Sequence, residues 1–179
     1  MDSDDSEILL PAGETLMLRP VSAEDEEFLV SVYAGTRAQE MAQVPWSDEQ
    51  KKEFVRWQFN LQRQDYESKY PHTQYDVILV DNQSAGRIWI SRDDEQIRLL
   101  DIALLDEFQN RGVGTVLLRR LIDEAASANK RLRHMVFILN TDARRFYERL
   151  GFVVFEDLGA YLHMEWRGSE GGAEAIRQE

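Results

Sequence analysis

Apolar and polar residues follow two different spacings along this chain, and the changes between them predict its elements. Near the N-terminus, apolar and polar residues alternate over Thr15–Pro20 as they do in a strand. Two segments with apolar residues at helical spacing follow, and each begins with a pair that matches the capping-box pattern. The predicted helices run from Ser22 to about Arg37, with Asp25 completing the first box, and from Ser47 to about Tyr66, with Gln50 completing the second.

Strands dominate the rest of the chain. The segment Ile97–Leu105 is apolar on both faces, which is typical of a strand in the middle of a covered sheet. A long helix is predicted over Gly112–Ala128. The other predicted elements are the strands Tyr75–Val80, Ala85–Ser91, Leu132–Leu139, Phe152–Phe155 and Tyr161–Trp166, and a short helix from Asn140 or Thr141 to Leu150.

This order, β-α-α-β-β-β-α-β-α-β-β, predicts an α/β fold with a mixed central sheet of about seven strands and about four flanking helices. Parallel pairing is expected around the long helix, because a crossover helix joins parallel strands. Residues 15–167 are expected to form a single domain. The acidic residues 1–14 and the polar residues 168–179 are expected to be mobile tails.

Composition narrows the classes of function. A formal net charge of −12 over 179 residues would repel nucleic-acid phosphates, and the short basic cluster Arg131, Arg133 and His134 is interpreted as solvated. No apolar run approaches the ~18 residues of a membrane span. The chain has no cysteine, which excludes thiolate metal sites and fits a cytoplasmic location. The histidines are isolated, so no metal site is expected, and a homodimer is compatible with these features.

The segment Gln109–Thr115 connects a predicted buried strand to the long helix and carries two glycines. Such a loop can hold a phosphate, because glycine lets the backbone approach an oxyanion and the helix N-terminus offers unpaired N–H groups. No Lys-Ser or Lys-Thr follows the glycines, and a dinucleotide fingerprint would need a third glycine. The loop alone is equally consistent with an ordinary strand-to-helix turn.

A second motif follows the next strand. Combined, the two segments resemble the GNAT acetyltransferase superfamily. Its Gln/Arg-x-x-Gly-x-Gly/Ala signature is matched by Gln109, Gly112 and Gly114, and its Asn-x-x-Ala-x-x-x-Tyr-x-x-x-Gly-Phe signature by Asn140, Ala143, Tyr147, Gly151 and Phe152. The spacing between the two motifs accommodates one helix and one strand. Asn110 stands where many members of the family have glycine.

The resemblance implies that the chain uses acetyl-CoA as co-substrate, without a metal. Backbone N–H groups of the loop would bind the CoA pyrophosphate, and a strand edge would pair with the pantetheine amides. Asn140 would contact the pantetheine arm or the acceptor, and it also fits a helix cap. The predicted cofactor-binding residues are Ile102, Ala103, Leu104, Gln109, Asn110, Arg111, Gly112, Val113, Gly114, Thr115 and Asn140.

The family's reaction is direct attack of a neutral amine on the thioester, which suggests two catalytic residues. Tyr147 is the candidate acid for the thiolate, and its alternative role is core packing beside Phe146. Asp101, an acidic residue within the buried strand, is the candidate base, acting directly or through water. A structural ion pair is the alternative for Asp101. A backbone N–H of Leu104 or Leu105 would polarise the thioester carbonyl.

The acceptor is expected to be a primary amine of a small molecule or peptide. Gln62 and Tyr66, on the second predicted helix, are candidates for the substrate pocket. Two alternatives remain: a non-catalytic acyl-CoA-binding or regulatory domain, and an acyltransferase that acts on a protein lysine or N-terminus. No nucleic-acid or membrane partner is expected.

Overall fold

The computed structural model describes residues 7–166 of the chain. Within these residues it has eight strands and four α-helices, so the predicted α/β fold with a mixed sheet is confirmed, with one strand more than expected. The strands are β1 (Ile8–Leu9), β2 (Thr15–Pro20), β3 (Thr73–Val80), β4 (Gln83–Arg92), β5 (Gln96–Leu104), β6 (Arg131–Phe137), β7 (Phe152–Asp157) and β8 (Tyr161–Trp166). The helices are α1 (Glu26–Ala42), α2 (Asp48–Lys69), α3 (Val113–Ala128) and α4 (Thr141–Arg149).

Both predicted capping boxes are present, the first at the 3₁₀ turn Ala23–Asp25 that leads into α1 and the second at the start of α2. The backbone N–H of Ser22 donates to the Asp25 carboxylate over 2.7 Å, and Ser47 and Gln50 exchange reciprocal hydrogen bonds. Arg19 donates two hydrogen bonds of 2.8 Å to Asp25, which hold the pKa of that carboxyl well below its usual range. Local polar residues therefore set where these helices begin.

The chain divides into two compact units. Of the described residues, the first unit comprises 7–90 together with Asp101–Gly114, and the second comprises Ser91–Leu100 together with 115–166. In the first unit the strands lie in the order β1-β2-β3-β4-β5, and β1, β2 and β3 pair antiparallel. Helices α1 and α2 also belong to this unit.

The second unit contains the parallel pairing that the sequence predicts around the long helix. The first half of β5 pairs parallel with β6, from Gln96↔Arg131 to Leu99↔His134. Strand β8 pairs antiparallel with both β6 and β7, so the order continues β5-β6-β8-β7. The apolar side of α3 is buried at Leu117, Leu118 and Leu121.

Several predicted boundaries differ from the structure. Helix α1 continues to Ala42 and α2 to Lys69, whereas β6 ends two residues early, at Phe137. The predicted N-terminal tail is corrected from Ile8 onward, because β1 pairs with β2 there and adds the eighth strand. Residues 1–6 and the predicted C-terminal tail, 168–179, lie outside the described residues.

The buried side of α2 also differs from the prediction. The sequence pattern predicts Phe54, Trp57, Phe59 and Leu61 on its apolar side. Phe59 is buried as expected, but Trp57 and Leu61 are 56% and 45% exposed, and Val55, which was not predicted, is buried. The segment contains more aromatic and apolar residues than one helix face can bury. Spacing alone therefore does not show which of them face the sheet.

Candidate functional site

Two residues in the loop before α3 have left-handed backbone conformations. Asn110 has φ 59° and Gly112 has φ 88°. Asparagine is among the few non-glycine residues that adopt this conformation readily, which explains why it replaces the family's glycine at this position. The loop then enters α3, where Val113, Gly114 and Thr115 form the first turn and N–H groups have no acceptor within the helix. This geometry directs backbone donors to one place and suits an anion.

Side chains of the loop hold its conformation. Gln109 donates through Nε2 to the Leu104 carbonyl and to Asp106 Oδ1, both at 3.0 Å. Arg111 donates through Nη1 to the Glu107 carbonyl at 3.2 Å, and its guanidinium lies 5.3 Å from the centre of the Phe108 ring. Gln109 thus ties the loop to the end of β5.

The segment between β1 and β2 lies against this loop. Pro11 Cδ is 3.5 Å from the position that a Cβ would have at Gly112, and the Glu14 carboxylate forms an ion pair with Arg111. Glu14 Oε2 is buried and has no hydrogen-bond partner. An open cavity of ≈ 620 Å³ is lined by Pro11, Ala12, Glu14, Asn110, Arg111 and Gly112. The sequence did not indicate that this segment contacts the loop.

The strand edge predicted to bind pantetheine lies in the last part of β5. The parallel register with β6 runs to Leu99, so Ile102, Ala103 and Leu104 lie beyond it. Ala103 is buried and its two neighbours are half-buried. The backbone N–H of Leu105 donates to the Ala85 carbonyl at 2.9 Å, which removes Leu105 as a donor to a thioester carbonyl.

Gly86, on β4, permits the close approach of β5 at this edge. A Cβ at Gly86 would lie 2.2 Å from the Ala103 carbonyl oxygen and 2.9 Å from Leu104 Cδ2. No side chain fits there, so glycine is required by the contact between backbones. The sequence analysis did not single out Gly86, although an isolated glycine within a predicted strand is a signal that could have found it.

Gly86→Ala is therefore expected to displace β5 and to destabilise the protein by about 1–3 kcal/mol. The free energy of unfolding in urea would measure this loss. Gly35→Ala is the matched control, because a Cβ at Gly35 in α1 would meet no atom within 4 Å. Equal stability of the Gly86 variant and wild type would contradict the close approach.

Asp101, the predicted base, forms an ion contact with a buried arginine. Arg87 Nη2 lies 2.6 Å from Asp101 Oδ2, although the contact does not have hydrogen-bond geometry. The Arg87 side chain is 1% exposed and that of Asp101 is 21% exposed. The structural alternative for Asp101, an ion pair, is therefore present in the first unit.

The predicted substrate residues on α2 lie close to this ion pair or to its neighbour Trp89. Gln62 Oε1 accepts a hydrogen bond of 3.3 Å from Arg87, and the Tyr66 ring packs edge-on against Trp89 at 5.9 Å. The structure thus connects Gln62 with Asp101 through Arg87. Gln62 and Tyr66 are both half-buried.

The second motif lies in the second unit. Asn140 caps α4, accepting through Oδ1 from the Ala143 N–H at 3.1 Å. Tyr147 is 3% exposed, and its ring packs against those of Phe146 at 5.3 Å and Phe152 at 5.5 Å. The helix-cap and core-packing alternatives for Asn140 and Tyr147 are thus both observed.

His134 was interpreted as solvated, and that interpretation is wrong. It is 8% exposed, and its Nδ1 lies 2.9 Å from the Leu99 carbonyl oxygen. Its ring lies 4.4 Å from that of Tyr147. Strand alternation places His134 on the covered face of β6, whereas Arg131 is exposed. In the sequence, Arg131 and Arg133 just before His134 made it look like part of a solvated basic cluster.

Neither metal ligation nor membrane insertion is indicated by the described residues. Across residues 7–166 the structure has no group of three or more histidine, aspartate or glutamate side chains that would hold a metal ion. In the same part of the chain, no helix is long and apolar enough to cross a membrane.

Comparison with known proteins identifies relatives of this chain. The uncharacterized N-acetyltransferase CgeE of Bacillus subtilis is 25% identical over 113 residues, covering 58% of this chain and 44% of CgeE. The uncharacterized N-acetyltransferase MJ1207 of Methanocaldococcus jannaschii is 29% identical over 123 residues, covering 64% of this chain and 52% of that protein. The chain therefore spans about half the length of these curated relatives.

A solved structure supports the fold. The PaiA N-acetyltransferase of Thermoplasma acidophilum, in complex with coenzyme A, superposes with a TM-score of 0.64 at 21% sequence identity. The match covers 85% of this chain and 98% of the other. The family model described as the acetyltransferase (GNAT) family matches residues 36–152, which include both sequence motifs, the end of α1 and the whole of α2, α3 and α4. The chain therefore belongs to the GNAT acetyltransferase family.

Proposed function

We propose that this protein is an N-acetyltransferase that transfers the acetyl group of acetyl-CoA to a primary amine of a small molecule or peptide. The observation that carries the proposal is the loop Gln109–Thr115, with two left-handed residues directly before the start of α3. A pyrophosphate fits such a loop, because its oxygens accept hydrogen bonds from clustered backbone N–H groups. The relatives' names and the CoA complex of PaiA support the same cofactor.

The proposed binding residues follow from this fit. Backbone N–H groups of Arg111–Thr115 would bind the pyrophosphate, and the Arg111 guanidinium would add charge-assisted hydrogen bonds. The edge Ile102–Leu104 would pair with the amides of the pantetheine arm. Asn140 would contact that arm or the acceptor in addition to capping α4.

The proposed chemistry requires the protein to orient an amine and to manage protons. Bound acetyl-CoA supplies an acetyl group activated as a thioester. The reaction joins the amine nitrogen to the acetyl carbon, breaks the carbon–sulfur bond, and releases one proton to solvent for each ammonium acetylated. Tyr147 would donate a proton to the departing thiolate and recover it from solvent. Asp101 would act on the amine as a proton acceptor, directly or through water, or as a fixed charge.

The acceptor is defined only by class. Gln62 and Tyr66 stay predictions for the acceptor side, and the exposed tryptophans Trp46 and Trp57 lie on the connection before α2 and on that helix. The non-catalytic acyl-CoA-binding domain and the acyltransferase for a protein lysine or N-terminus are the competing functions. A cytoplasmic location and a homodimer stay predictions from the sequence.

A binding measurement and a turnover measurement test the proposal separately. Isothermal titration with acetyl-CoA should give saturable binding, and a panel of amines should include at least one that releases free CoA thiol. Binding without turnover on any small amine, peptide or protein would favour the non-catalytic alternative. No binding of acetyl-CoA would refute the proposed function.

The ion pair between Glu14 and Arg111 leads to a prediction about cofactor affinity. If Arg111 binds the pyrophosphate, the cofactor competes with the Glu14 carboxylate for the same guanidinium. Glu14→Gln is therefore expected to tighten acetyl-CoA binding several-fold. Hydrogen bonds to charged groups contribute about 1.5–3 kcal/mol, and the complex gains only part of this free energy when Arg111 no longer pairs with Glu14. Isothermal titration at low and high salt would measure the change.

Glu107→Gln is the control for the Glu14 variant. The substitution removes a negative charge just before the loop Gln109–Thr115. The Glu107 side chain is exposed, and only its backbone carbonyl contacts Arg111. We expect a smaller change that salt abolishes. Weaker binding by Glu14→Gln would show that Glu14 orients Arg111 for the phosphate instead of competing with it.

A further inference from the structure

Arg87 is a buried cation that the proposed chemistry does not use. It lies on β4 with its side chain 1% exposed. Its guanidinium carbon is 4.4 Å from the centre of the Trp89 ring, 5.3 Å from Phe59 and 5.5 Å from Tyr33. The three rings stabilise a cation but accept no strong hydrogen bond.

The polar contacts of Arg87 are few for a buried guanidinium. Nη2 contacts Gln62 Oε1 at 3.3 Å and Asp101 Oδ2 at 2.6 Å, whereas Nε and Nη1 have no hydrogen-bond partner. Asp101 is therefore the one carboxylate in contact with Arg87 among the described residues. We call Arg87 and Asp101 the buried pair.

The two members of the buried pair differ in their access to solvent. Arg87 is enclosed, whereas the Asp101 side chain is 21% exposed and reaches the surface of the first unit. The aromatic rings around the guanidinium leave Asp101 to compensate its charge, and an uncompensated buried charge is costly. The contact with Arg87 therefore fixes the position of the Asp101 carboxylate.

From this geometry we infer that Arg87 is a positioning residue that holds Asp101 as a fixed carboxylate, so that Asp101 binds the acceptor amine and water receives its proton. The inference rests on the proposed function, because it assigns Asp101 to the acceptor side of that reaction. It decides between the roles left open for Asp101. The carboxylate accepts a hydrogen bond from the amine before attack.

Other titratable groups lie around the buried pair. Tyr33 lies on α1 and accepts a hydrogen bond from Arg37, while Arg63 and Tyr66 lie on α2. Tyr75, on β3, packs on Trp89, and burial raises its pKa. Each variant below is compared with wild type at the same pH, because both proteins share these groups.

The first test measures Asp101 directly and requires no substrate. The ¹³Cγ resonance of Asp101, assigned with Asp101→Asn, would be recorded by NMR at neutral pH. In Arg87→Met we expect this resonance to move, because the carboxylate loses the guanidinium whose Nη2 lies 2.6 Å from its Oδ2. An unchanged resonance would overturn the inference that Arg87 positions Asp101.

Two variants separate charge, position and folding. Arg87→Lys keeps the charge but lacks the planar fork, so the Asp101 resonance should move less than in Arg87→Met while kcat/KM falls. If Arg87→Met does not fold, Arg87→Lys still tests the positioning role. Arg92→Met is the matched control, because Arg92 on the same strand pairs with Glu124 outside the buried pair. Neither the Asp101 resonance nor kcat/KM should change in the Arg92 variant.

The second test uses an amine acceptor found in the panel. Asp101→Asn should lower kcat/KM relative to wild type by a similar factor at every pH from about 5 to 9, because a fixed charge acts at all of these pH values. A loss that grows toward low pH would show that Asp101 is itself the base and would overturn its fixed-charge role. Wild-type protein that turns over no acceptor would refute the proposed function, and the NMR result would still report on the pair.

Discussion

Gly114→Asp is expected to abolish measurable acetyl-CoA binding while the protein remains folded. Gly114 is the second residue of α3, a position where an acidic side chain stabilises a helix through its dipole. The same negative charge would occupy the place of the pyrophosphate and repel it. Charge-assisted hydrogen bonds contribute about 1.5–3 kcal/mol each, so loss of one or two corresponds to at least a 10- to 100-fold weaker complex.

Gly114→Ala provides the control for size, because it adds a methyl group without charge. We expect it to weaken binding much less than aspartate does. Gly112→Asp should also abolish binding, but φ 88° at this position adds backbone strain to the effect of charge. Isothermal titration and circular dichroism would separate affinity from folding. Unchanged affinity in both aspartate variants would refute the cofactor-site assignment.

Tyr147→Phe is expected to lower kcat by roughly 100-fold or more, with acetyl-CoA affinity close to that of wild type. The substitution preserves the ring, which packs against His134, Phe146 and Phe152, and it removes only the hydroxyl group. A structural role alone would change the free energy of unfolding more than the rate. Steady-state kinetics with a competent amine, together with urea unfolding, would distinguish the two.

Tyr161→Phe makes the same chemical change at an exposed position on β8, where the tyrosine is 41% exposed. It should leave kcat unchanged. Normal turnover of the Tyr147 variant would show that Tyr147 serves packing and that water or another donor protonates the thiolate.

Local polar residues explain why much of the fold was predictable. The capping pairs at Ser22 and Ser47 act within three residues of themselves, and the structure confirms both. The alternation of β2 and the long apolar run of β5 likewise depend on neighbouring positions. These signals can be found in the sequence because the interacting residues lie only a few positions apart.

The ends of helices, and very short strands, were less predictable than the order of the main helices and strands. Helix α1 continues five residues beyond its predicted end at Arg37, because no proline or glycine lies between Arg37 and Ala42. Gly35, earlier in the helix, does not interrupt it. Strand β1 has two residues and pairs only through the β2 edge, so its own pattern is too short to detect.

The candidate site was predictable in part for the same reason. The turn into α3 follows from consecutive residues, and the structure added a reason for Asn110, whose φ of 59° suits asparagine. The roles of Asp101 and Tyr147 depend on neighbours far along the chain. Arg87 contacts Asp101 from another strand, and His134 contacts Tyr147 from β6.

By itself, the sequence determined the family motifs, the order of helices and strands, and the loop that suits a phosphate, because each depends on residues close together along the chain. Only the tertiary structure decided which side of α2 is buried, which carboxylate compensates Arg87, and that Glu14 contacts Arg111. These contacts join residues up to 97 positions apart. Burial and charge pairing between such distant residues follow from how the chain packs, which no local pattern records.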